Sequence, residues 1–228
     1  VSKTIRFFFL GSLIYAFSAF FKIYPITILV SIPLFVLVEK IRIEKFSLFP
    51  ILFFKFKEPV SEKLHQASLL CFSCGIVMAS LVILNNEYFN FVTMEKLTLN
   101  TFFLGFSFPL SLITLSVVFS MLKKIEGSSS KILMEICFWT ITLGVIIFFV
   151  FILLEKFIPQ IFVTLALFMA VVTVFYLYTK FADKIQQKLF LTSGIGFLIF
   201  TAITGIAYIF MQMAEGYDPE KTKWFLHI

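Results

Sequence analysis

The residues able to do chemistry are few, and three of them are thiols. Cys71 and Cys74 form a C-x-x-C inside the apolar run LLCFSCGIV, residues 69–77. In soluble proteins that spacing marks a metal knuckle or a redox pair. Cys137, Glu135 and His65 complete a set of three thiols, a carboxylate and an imidazole. Such a set suits a soft metal ion. Two facts weigh against it. A knuckle places C-x-x-C in a tight turn, whereas a helix merely puts the two thiols on one side. Apolar surroundings also keep thiols protonated and inert, and cysteine is a common small filler. The expectation is therefore packing, with no cofactor and no metal, unless the segments bearing Cys74 and Cys137 touch at equal depth.

Neutral polar residues form two stripes. Thr192, Gly196, Thr204, Tyr208 and Gln212 recur at multiples of four, and Thr201 widens that face. Ser107, Ser111 and Thr114 form a second stripe beside Pro109. Positions four apart lie above one another on a helix. In lipid, small and hydroxylated residues at this spacing hold helices together. The functional alternative is a polar cavity walled by Ser107, Ser111, Thr114, Thr201, Thr204, Tyr208 and Gln212.

The elements that must position these residues follow from composition. Of 228 residues, 60% are hydrophobic and 14% charged, and mean hydropathy is +1.02. Soluble domains run about 45–50% apolar and about 25% charged. Thirty-four Phe residues are more bulk than a soluble core of this size can hide. A chain solvated by lipid must satisfy its own backbone, as helices or as a closed barrel. Runs such as ITLGVIIFFVFILL are apolar on every face, the helix pattern, whereas a barrel needs alternating strands. The predicted fold is all-α, a polytopic helical bundle forming one transmembrane domain over 1–228.

Seven spans are expected, near 5–22, 24–39, 67–85, 101–122, 132–154, 158–179 and 189–212. The first two are short against the roughly 20 residues a crossing needs. Fusing them into one long helix leaves six. A basic loop at 40–66 holds a short interfacial or re-entrant segment at 47–54, interrupted by Pro50. Residues 213–228 form a short outer tail. The apolar N-terminal stretch reads as an uncleaved first span, because more apolar chain follows at once.

Charge tests this layout. The basic clusters at 3–6, 40–63, 123–131 and 180–188 fall on one side. The other side carries only Lys22, Lys96, Lys156, Lys221 and Lys223. Positive residues stay inside, so the N-terminus is expected in the cytoplasm and the C-terminus outside. At about 1.5 Å per residue, Cys71, Cys74 and Cys137 then share a layer roughly 6–10 Å from the cytoplasmic face. Glu135 lies near the same face, with Lys131 one turn earlier to pair with it.

Several function classes are excluded. No block of Arg and Lys interleaved with aromatics stands clear of the apolar runs, so nucleic acid is not an expected partner. Proton-coupled carriers need ionisable groups in mid-membrane, and these are nearly absent. The last span has no Lys for retinal. Membrane zinc hydrolases need several His, but His65 and His227 fall on opposite sides. Intramembrane serine or aspartyl proteases need residues the spans do not contain. What remains is a non-enzymatic protein binding a lipid or small solute, as carrier, sensor or assembly partner. The competing expectation is an intramembrane lipid-modifying enzyme at the cytoplasmic face. Expected partners are membrane lipids and other membrane proteins, in the cell membrane by default.

Overall fold

The computed structural model describes residues 3–92, 105, 107–122, 128–154, 156–182 and 186–213. Among them the chain is helical throughout, save turns and one isolated bridge between Leu122 and Ala182. It packs as two compact units, Val1–Ser116 and Val117–Ile228, each taken by itself below.

The first unit begins with α1 (Lys3–Phe20) and α2 (Tyr24–Phe46). They are two helices and not one, which removes the fused alternative. The break is built locally. Lys22 adopts a left-handed conformation, φ 57°. Its N–H reaches Ala19 O at 3.1 Å, and Ile23 N–H reaches Ser18 O at 2.8 Å. These two bonds make the Schellman cap that closes a helix. Pro25 then opens α2, where a missing N–H costs nothing. The two helices pack antiparallel. Thr27 Oγ1 donates to Ser18 Oγ at 2.9 Å, and Gly11 lies against Leu34.

α2 is longer than the predicted 24–39, and the next helix, α3 (Val60–Leu84), starts earlier than 67. Most of the expected loop at 40–66 is therefore helix. Only residues 47–59 connect, and within them Ile51–Phe54 forms one 3-10 turn capped by Pro50. Charged residues extend both helices because they find partners across the α2–α3 join. α3 lies antiparallel to α2: Ser80 Oγ donates to Ser31 Oγ at 2.7 Å, and Ser73 Oγ to Glu39 Oε1 at 2.6 Å. Between those rungs sits an apolar core of Leu34, Val38 and Ile76, covered by Phe8, Leu69 and Phe72. α3 ends in a π-helical turn, Asn85–Phe89, closed by Asn90 at φ 51°. The Asn85 side chain then pairs with both the N–H and the C=O of Val92. α4 (Phe108–Ser120) meets α3 through Ser68 Oγ to Pro109 O and Ser116 Oγ to Ser61 O, both 2.7 Å.

The second unit holds the last residues of α4, α5 (Ser128–Leu153), α6 (Phe157–Phe181) and α7 (Gln186–Met213). α5 and α6 run antiparallel and close. A Cβ on Gly144 would fall 2.7 Å from Leu167 Cδ2, so any larger residue there requires the leucine side chain to shift. Lys188 Nζ donates to Thr179 O and Ala182 O, capping the end of α6 with a cation. Phe138, Val174, Leu177 and Ile195 form the buried core.

Among the described residues, four helical stretches are long and apolar enough to cross a membrane: Lys3–Phe20, Val60–Phe89, Ser129–Phe151 and Phe157–Phe181. Phe108–Ser120 and Lys188–Thr204 are apolar but shorter. Large apolar side chains such as Phe9, Phe20 and Phe162 face outward, as they do where the solvent is hydrocarbon.

Candidate functional site: a polar layer on α2 and α3

The last turns of α2 and the first turns of α3 bring charged and amide groups into the core of the first unit, whose other buried polar groups, among the described residues, are hydroxyls. Arg42 is 3% exposed. Its Nη2 lies 2.5 Å from Glu39 Oε2, and its Nε is 3.0 Å from Oε1. Glu39 and Arg42 are three apart on the helix, the spacing at which such a pair meets. The rest of the guanidinium turns toward the connection. Nη1 donates to Ser47 O at 3.2 Å and Nη2 to Leu48 O at 3.1 Å. Ser47 follows the helix at φ 100°, so the chain turns sharply there and aims two carbonyls at one guanidinium. Ser73 on α3 adds its hydroxyl to Glu39. Each guanidinium nitrogen and both carboxylate oxygens find a partner within this set, which fixes the corner after α2 and ties it to α3.

One turn further along, Lys45 bridges to α3. Its Nζ lies 3.2 Å from Glu62 Oε2 and 3.1 Å from His65 Nδ1. An ammonium can only donate, so Nδ1 is the accepting nitrogen and the ring proton sits on Nε2. The edge of the imidazole meets the Phe46 ring, centroids 5.4 Å apart. These side chains are close to half-exposed, so their pairing is a surface join.

Lys63 and Gln66 lie deeper, both fully buried. Lys63 Nζ is 5.8 Å from the centroid of the Phe56 ring. Gln66 is the anomaly of the layer. Neither Oε1 nor Nε2 has a hydrogen-bond partner. A carboxamide carries two donors and an acceptor with two lone pairs. Leaving one such polar group buried and unmatched costs about 1–3 kcal/mol. Sequence reasoning passed over Arg42, Lys63 and Gln66 because it assigned 40–66 to a loop. The signal was present as Glu39 and Arg42, and Lys63 and Gln66, each three apart.

The residues singled out by type and spacing are placed as follows. Cys71 is half-buried and Cys74 exposed; neither is in a disulfide, and both lie on regular α3 with no turn between them. His65 is one and a half turns before Cys71, engaged with Lys45. Cys137 and Glu135 are buried on α5, in the second unit. The Cys137 thiol points to Ala170 O on α6 at 3.9 Å, a packing contact. Among the described residues, no three His, Cys, Asp or Glu side chains gather as a metal ion would require.

The polar stripes are largely occupied by their own backbone. Ser111 Oγ donates to Ser107 O, Thr114 Oγ1 to Leu110 O and Thr192 Oγ1 to Lys188 O, at 2.7–2.8 Å. In apolar surroundings a hydroxyl takes the nearest acceptor, the carbonyl one turn back. Thr204 is half-buried. The side chains of Thr201, Tyr208 and Gln212 lie outside the described residues, as does the tail beyond 213. No protein-family model, no curated protein and no solved structure matches this chain, so its residues carry the functional argument.

Proposed function

We propose that this chain is a seven-span membrane protein, N-terminus in the cytoplasm, that binds a small polar solute or lipid without transforming it. Its role would be that of a carrier, a sensor or a membrane assembly partner, in the cell membrane. The span count rests on the seven apolar runs, and the orientation on the clustering of Lys and Arg between alternate runs. The observation that carries the binding reading is Gln66. A fully buried carboxamide with both ends unmatched is tolerated where something else completes its hydrogen bonds for part of the time. A ligand presenting adjacent donor and acceptor atoms fits it: an amide, a carboxylic acid, or a lipid ester with a hydroxyl.

The test is Gln66→Leu in purified, reconstituted protein. Without ligand, the variant is expected to be more stable than the parent by about 1–3 kcal/mol, because the unmatched amide is gone. A screen of amides, acids and glycerolipids for thermal stabilisation should give hits with the parent that vanish in the variant. A variant that is destabilised, or that keeps every hit, would remove Gln66 from the reading.

A further inference from the structure

The connection between α2 and α3 exposes an apolar and basic surface that the helix packing does not use. Leu48, Phe49, Ile51, Phe54 and Phe56 are all more than half exposed. Phe53 alone turns inward, at 8% exposure, and pins the 3-10 turn to the unit. Lys55 and Lys57 alternate with Phe54 and Phe56 and are exposed as well. Among the described residues, Lys40 pairs with Glu44, Arg42 with Glu39 and Lys45 with Glu62. No such pair engages Lys55 or Lys57.

This surface is held in shape before anything binds. Arg42 grips Ser47 O and Leu48 O, and Ser47 Oγ donates to Phe49 O at 2.8 Å. Backbone bonds Phe53 to Pro50, Lys55 to Leu52 and Glu58 to Lys55 continue the turn. A preformed surface loses little ordering entropy on binding. Its chemistry is that of a headgroup boundary: rings that enter the acyl region beside ammonium groups that stay at phosphate level.

We infer that residues 48–57 form a membrane anchor selective for anionic phospholipid. The inference rests on the membrane reading above and adds a lipid class and a site to it. The two unpaired ammonium groups select negative surface charge, and the Phe and Ile side chains supply depth without selecting charge. Each Lys near an anionic surface favours binding by roughly fivefold, so two give a preference of roughly tenfold to thirtyfold. The expected cytoplasmic placement of this connection also puts it at the leaflet where anionic lipid concentrates.

The experiment titrates short-chain phosphatidylglycerol or phosphatidylcholine into the full chain in neutral micelles and follows the unfolding temperature. Phosphatidylglycerol should stabilise at a concentration roughly ten times lower than phosphatidylcholine, and added salt should erase the difference. Lys55→Gln with Lys57→Gln should erase it too; both side chains are exposed, so folding is not at stake. Lys40→Gln, which removes a paired lysine, should leave it. Phe54→Ala with Phe56→Ala should weaken both lipids equally. Retention of the preference by the double lysine variant overturns the anchor, and so does equal stabilisation by inorganic phosphate. Failure of the membrane reading looks different: the parent would stay folded and monodisperse with neither detergent nor lipid.

Discussion

Arg42→Met tests whether the Glu39–Arg42 ion pair organises the α2–α3 corner. Methionine is unbranched and of similar reach, so it can fill the space without a large void. The substitution removes every contact of the guanidinium. The Glu39 carboxylate loses its counter-ion while keeping only the Ser73 hydroxyl, and the Ser47 and Leu48 carbonyls lose their donors. Breaking a buried pair from one side costs about 3–5 kcal/mol. The Glu39 side chain is 17% exposed, which allows some water to reach it and places the expectation near about 3 kcal/mol. Adding Glu39→Gln removes the stranded charge. The double variant should recover about 1–2 kcal/mol, the remaining loss being the two carbonyls at roughly 1 kcal/mol each. The assay is reversible unfolding in mixed micelles with dodecyl sulfate, followed by helical circular dichroism and analysed as a double-mutant cycle. Amide exchange across residues 48–54 should speed up in Arg42→Met. A single-variant cost below about 1 kcal/mol would refute the reasoning. So would a double variant as unstable as the single one, since the carboxylate would then play no part.

Gly144→Val should overpack the α5–α6 contact and cost about 1–3 kcal/mol, because Leu167 must leave its present rotamer to make room. Gly196→Ala, with nothing within 4 Å of the added methyl, should be neutral or gain up to about 1 kcal/mol; micellar unfolding compares the two. Lys22→Gly should stabilise by about 0.5–1 kcal/mol, since the left-handed cap position suits glycine; unchanged stability would mean the cap is not held in lipid. Acidification below about pH 6.5 should weaken the α2–α3 join by less than about 1 kcal/mol. The neutral His65 ring accepts from Lys45, and protonation would set two cations 3.1 Å apart, with Glu62 beside them as the facing acid. Stability should therefore fall as pH drops, and His65→Gln should flatten that limb of the pH–stability curve.

The polar layer was hard to read along the chain for a physical reason. Lys40, Arg42, Glu44 and Lys45 look like the end of a span and the start of a loop, because an isolated charged run is better solvated in water. The run continues as helix because α3 presents Ser73, Glu62 and His65 at matching heights. Those partners are 17 to 34 residues away in sequence, and no periodicity within α2 predicts them. The two cysteines behaved oppositely: their place on a regular helix was legible from the surrounding apolar run, and spacing alone was misleading.

Composition and apolar run length determined the helical class and the positions of α1, α5, α6 and α7 within a few residues; for α3 they marked the C-terminal end but missed the first two turns. These are local properties: a backbone surrounded by apolar side chains must bond to itself, and a helix does so within one segment. The break at Lys22 was foreshadowed by Pro25, but the left-handed cap that makes it was not. Tertiary structure alone decided which polar side chains are satisfied and which are stranded. Arg42 is buried yet each of its nitrogens has a partner, while Gln66, a commonplace polar residue on paper, is buried and unmatched. Partner geometry, fixed only when α2 lies antiparallel against α3, separates those two outcomes.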